Sequence, residues 1–140
     1  MNKNFKIILN YVKDLSIETP DAETLVFVKD KISKYQLSID IKSKALKNKM
    51  IEVSTKLTFK DNDNNDKKSF FEIDYASIVQ VEESIKEKSQ LEKILLCDVQ
   101  NEIYPTLEKI FVNLIKESGF PVLNFEKKVD FEELYKKKNN

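Results

Sequence analysis

Two carboxylates four residues apart, Asp14 and Glu18, lie in the run Tyr11-Val-Lys-Asp-Leu-Ser-Ile-Glu-Thr-Pro20. Paired carboxylates cleave glycosidic bonds when their carboxyls stand ~5 to 9.5 Å apart. In an extended chain this spacing covers roughly 13 Å, at ~3.3 Å per residue, so the pair suits docking of a basic partner better than catalysis. Asp61, Asp63, Asn65 and Glu72 match positions 1, 3, 5 and 12 of a calcium-binding EF-hand loop. The residue that should be Gly for the sharp turn is Asp66, and strand-like sequence flanks the segment, so it reads as a solvated hairpin loop. Cys97 lies beside Ile94 and Leu95 with no His to activate it, which fits a buried small hydrophobe rather than a nucleophile.

Absences narrow the chemistry further. The chain has no His, the commonest general base and transition-metal ligand. Its one Gly, Gly119, excludes the glycine-rich loops that close on phosphate, and its one Cys excludes a multi-thiolate metal site. No cofactor and no metal are expected. All 24 basic residues are Lys, balanced by 24 acids and scattered along the chain. Without Arg, bidentate recognition of phosphate or guanine is missing, so nucleic-acid binding is not expected. The sequence shows neither a signal-peptide pattern nor an apolar run near the ~20 residues that span a bilayer, which points to the cytoplasm without membrane insertion. At 140 residues the expected organisation is one domain, residues 1–140, with a disordered Lys-rich tail over 136–140.

Four strand-like segments must position the acids. The first runs from Phe5 to Glu18, with apolar odd positions and Lys6, Asn10, Asp14, Ser16 and Glu18 on the other side. Leu37, Ile39 and Ile41 mark the second, and Ile51, Val53, Thr55, Leu57 and Phe59 the third. The fourth, about Ser69 to Val81, is apolar on both faces and needs cover on both. A helix follows, capped by Ser89 and Glu92. Pro105 marks the start of a second helix, which carries Leu107, Ile110, Phe111, Leu114 and Ile115 and ends at Gly119. After an extended connector, Asp130 and Glu133 cap a short third helix with Phe131, Leu134 and Tyr135. Strands followed by helices predict an α+β fold: a four-stranded antiparallel sheet with two or three helices packed on one face. The apolar side chains left on the other face must meet another subunit, a ligand or a client.

The opening decamer resembles the first strand of the SecB export-chaperone family, Tyr-x-Lys-Asp-[Leu/Ile]-Ser-x-Glu-x-Pro. Ser69 to Val79 is similar to the family's fourth strand, and Ile103-Tyr-Pro105 to its Leu-Phe-Pro step. Gly119-Phe-Pro-Val-Leu-Asn124 resembles its connector, and Val129-Asp-Phe-Glu-Glu-Leu-Tyr135 its closing helix. The similarity covers about residues 5 to 135 in the right order. Ser77 stands where the family has Gly, Val79 where it has an aromatic, and Gln100 where a Cys-Pro step is usual. The chain is also neutral where the family is usually acidic.

The resemblance implies a SecB-like fold and an ATP-independent cytoplasmic holdase, assembled as a homotetramer, a dimer of dimers. It would keep precursors of secreted proteins unfolded and deliver them to the translocation ATPase SecA. Asp14, Glu18, Phe70 and Glu72 match the docking surface for the zinc-binding C-terminal tail of SecA, so the metal belongs to the partner. Leu37, Ile39, Ile41, Tyr75, Val79 and Tyr135 match positions lining the client grooves. Phe71, Ile73 and Tyr75 match positions near the contact between dimers. The alternative is a diverged SecB-like protein dedicated to one partner, such as the antitoxin of a toxin–antitoxin system. An enzyme is not expected.

Overall fold

The four alternating segments pair into one antiparallel sheet. In the computed structural model, which describes residues 4–123, 125 and 129–138, they form β1 (Phe5–Glu18), β2 (Gln36–Ala45), β3 (Met50–Lys60) and β4 (Phe70–Val81). The strand order is β1-β4-β3-β2, so β1 and β2 are the two edges. Leu37, Ile39 and Ile41 of β2 stand opposite Phe59, Leu57 and Thr55 of β3. Those residues in turn face Phe71, Ile73 and Tyr75 of β4. Side chains directly opposite share a face, and this row of apolar residues makes the inner face of the sheet.

Strict alternation along β1 does not survive pairing. Register shifts occur between Ile7 and Leu9 and between Val12 and Asp14, each adding one residue to β1 relative to β4. A one-residue slip exchanges the faces. Leu9 and Tyr11 therefore turn outward opposite Ile78 and Ala76, while Val12 turns inward opposite Tyr75.

Helices cover the inner face. α1 (Ala22–Lys29) follows β1 directly and is a helix the sequence reading lacked. Asp21 caps it by accepting the Thr24 N–H at 2.8 Å. α2 (Lys88–Lys93) runs through a π-turn (Ile94–Asp98) into α3 (Val99–Glu117). Two expectations are corrected here. The N-cap of α2 is Glu87, with no side-chain capping bond, rather than Ser89. Pro105 lies inside α3 rather than at a helix start. Its ring cannot bond the Asn101 carbonyl, but both residues are exposed, so water can take that carbonyl.

α3 ends at Ser118, with Gly119 beyond it at φ 106°. α4 (Phe131–Lys138) starts where Asp130 Oδ1 accepts the Glu133 N–H at 3.2 Å. The helix continues through Lys136 and Lys137, which the sequence reading placed in a tail. The core between the layers is rich in rings: Phe71 lies 5.9 Å from Phe59 and 5.2 Å from Phe120, centroid to centroid. The fold class is the α+β sheet-and-helix arrangement expected.

Candidate functional site

The open edge of β2 borders a groove. Ile39 and Ile41 project from the inner side of that strand and are half-buried against the core. Across from them stand Leu96, from the π-turn, and Leu134 and Tyr135, from α4; with Asp40 these residues enclose ≈ 240 Å³. A second pocket of ≈ 360 Å³ shares Ile41 and Leu96 and continues past Leu95 and Glu92. The Tyr135 hydroxyl donates to Ser89 O at 3.2 Å, which ties α4 to the start of α2. The first pocket is walled mainly by apolar side chains, the second also by Lys42, Ser43 and Glu92, and among the described residues the outer edge of β2 has no neighbouring strand.

The remaining residues matched to client grooves sit elsewhere. Leu37 is half-buried opposite Phe59. Tyr75 and Val79 are 6 % and 0 % exposed, beneath the helices. Phe71 and Ile73, matched to the contact between dimers, are both 0 % exposed within the single chain. Sequence reading missed Leu96 and placed Leu134 on the last helix without a groove role. The available signal was Leu96 itself, an apolar residue just off the stripe of Leu91, Ile94 and Leu95.

On the outer face, the β1–β4 register gathers the four docking candidates. Glu18 stands opposite Phe70, Ser16 opposite Glu72 and Asp14 opposite Asp74. Lysines punctuate this acidic patch. Lys56 Nζ is 3.7 Å from Glu72, which also accepts the Thr58 hydroxyl at 3.3 Å. Lys13, the extra residue of the second β1 irregularity, pairs with Glu52. The hydrogen bond from Lys13 is the main reason the Glu52 carboxyl titrates below its ordinary range.

β1 itself leaves apolar surface uncovered. Ile8, Leu9, Tyr11, Val12 and Leu15 are 37 to 46 % exposed. Because of the two register shifts, they project on both sides of a strand whose outer edge is also free. The two motifs with possible chemistry are structural. Asp61 accepts the Asp63 N–H at 2.9 Å and the Asn65 amide at 2.8 Å, closing the hairpin loop on itself. Among the described residues no cluster of three or more His, Cys, Asp or Glu could hold a metal ion. Cys97 is buried, and burial pushes its thiol pKa up, away from a reactive thiolate. Among the described residues no helix is long and apolar enough to cross a membrane.

Comparison with known proteins agrees with this fold. The family model described as preprotein translocase subunit SecB matches residues 1–140. The chain is 58 % identical over 140 residues to a putative protein-export protein SecB of Pelagibacter ubique, covering 100 % of both chains. It is 32 % identical over 134 residues to protein-export protein SecB of Hyphomonas neptunium, covering 94 % of this chain and 76 % of that one. In structure it is similar to a SecB-like chaperone of Mycobacterium tuberculosis, solved in complex with a ChAD peptide from the HigA1 antitoxin. The TM-score is 0.62 at 12 % identity, covering 89 % of this chain and 91 % of that chain. Fold and sequence together define a protein-export chaperone. The chain belongs to the SecB family.

Proposed function

We propose that this protein holds precursors of exported proteins unfolded in the cytoplasm without ATP and passes them to SecA. The observation that carries this reading is the groove of Ile39, Ile41, Leu96, Leu134 and Tyr135 beside the open edge of β2. Apolar walls bind many side chains without directional demands. A free strand edge adds sequence-independent backbone hydrogen bonds to any extended segment. Each contact is weak. Several grooves on one assembly make later contacts intramolecular and so raise the total affinity.

The assembly in this reading is a dimer of dimers. Support comes from β1, whose exposed apolar residues and free edge want a second copy. Phe71, Ile73 and Tyr75 stand opposite Ile17, Leu15 and Val12, so they back that surface from the neighbouring strand. Leu37, Tyr75 and Val79 support the groove from the core. Asp14, Glu18 and Glu72, with Phe70 opposite Glu18 at the end of the patch, take the basic zinc-binding tail of SecA, and the zinc is the partner's. A single dedicated partner is not favoured: the antitoxin peptide belongs to a neighbour only 12 % identical, a likeness that shows fold alone.

Titrating a labelled, permanently unfolded chain with wild type and with Ile41→Asp tests the groove. A charge in the apolar wall should weaken binding about tenfold or more. Equal binding by the two would move the client site away from β2.

A further inference from the structure

The helical wall of the groove is irregular at the point that faces β2. Between Ile94 and Asp98 the helix widens into a π-turn, and the Val99 N–H reaches Ile94 O, five residues back. Such turns insert one residue into an α-helix and are frequent at functional sites. At 3.6 residues per turn, one residue is roughly 100° of rotation about the axis. The turn therefore decides how the side chains before it face relative to those of α3. Leu95 and Cys97 are buried at 4 % and 0 % exposure. Leu96, between them, is half-buried and lines both pockets.

A buried polar pair holds this turn against the sheet. Gln100 Nε2 donates to Leu95 O, inside the turn, at 3.4 Å. Gln100 Oε1 accepts from Thr55 Oγ1 at 3.0 Å. Both residues are 0 % exposed. Thr55 stands opposite Ile41 in the β2–β3 register, so the pair links the strand row of one groove wall to the turn that carries the other. Two apolar side chains of the same shape would fill this space without desolvating an amide and a hydroxyl. What they would lack is a directional bond that distinguishes the π-turn from a regular helix.

We infer that Thr55 and Gln100 are positioning residues, which fix the π-turn and so aim Leu96 into the groove. The inference rests on the groove being the client site. It is tested with Thr55→Val/Gln100→Leu, in which both side-chain partners leave together and only the Leu95 carbonyl loses a donor. Leu96→Ala is the reference, and Thr55→Ser, which keeps the hydroxyl, is the conservative control. The double variant should unfold cooperatively in urea and keep its oligomeric state. Its Leu96 methyl resonances should move without any client present.

It should bind a labelled unfolded chain roughly three- to tenfold more weakly, the loss of part of one leucine's contact area. Adding Leu96→Ala to the double variant should cost little more, and Thr55→Ser should bind as wild type. Unmoved Leu96 resonances would overturn the inference, as would a full Leu96→Ala loss on top of the double variant. If the double variant does not fold, Thr55→Val alone is read the same way against Thr55→Ser. A wild type that binds no unfolded chain contradicts the chaperone reading instead, and the Leu96 resonances still decide whether the pair sets the turn.

Discussion

Phe71 is fully enclosed at the centre of the sheet, with the rings of Tyr35, Phe59 and Phe120 around it. Removing its ring should leave a cavity that backbone on three strands cannot close. Phe71→Ala is expected to cost about 3–5 kcal/mol, read as a shift of the urea-unfolding midpoint at fixed protein concentration. Asp21 acts on the surface. Hydrogen bonds from Thr24 hold its carboxyl below the ordinary range. A carboxyl depressed in the folded state stabilises above its unfolded pKa, and that contribution is lost as pH falls through the folded value. Asp21→Ala should therefore melt earlier than wild type at neutral pH. The gap should narrow as pH falls through and below the ordinary carboxyl range, which thermal melts across the acid range would follow.

Among the elements, α3 depends on how it stops. Gly119 holds φ 106°, and a Cβ placed there would stand 3.3 Å from Leu25 Cδ1 of α1. Gly119→Ala should cost roughly 1–2 kcal/mol in urea unfolding, because the left-handed backbone and the α1–α3 contact are strained together. Period-two runs made β2 and β3 legible in the sequence, a run apolar on both faces marked β4, and pairing brings Asp14, Glu18, Phe70 and Glu72 to one face. The middle of β1 was not legible. Ile8 and Val12 interrupt its polar side in the sequence, but where the bulges fall is set by pairing with β4, which local pattern does not encode. α1 was hidden for a different reason. Val26, Phe27 and Val28 are poor helix formers and give no one-sided stripe; only Asp21, Glu23 and Lys29 carried the capping signal. Pro105 misled because proline usually opens helices, whereas here exposed positions allow it inside one. The π-turn followed from a tertiary contact, Thr55 to Gln100, so Leu96 could not be assigned to the groove from its neighbours alone.

At the scale of the whole molecule, the exposed apolar residues of β1 form a surface that the single chain leaves uncovered. If a second copy covers them, charges placed at Val12 and Leu15, which are 44 % and 42 % exposed, should dissociate the assembly and leave the buried core intact. Val12→Asp/Leu15→Asp should lower the mass measured by light scattering and leave the circular dichroism spectrum close to wild type. A monomer so made keeps its groove but loses the avidity of several grooves, so it should hold clients less well than the assembly. Chaperoning itself is read most directly from the refolding rate of a slow-folding secretory precursor, diluted from denaturant with and without stoichiometric protein and without ATP. Arrested refolding, released by a competing unfolded chain and relieved in Ile41→Asp, is the expected result. Refolding at the same rate with and without the protein would contradict a general holdase.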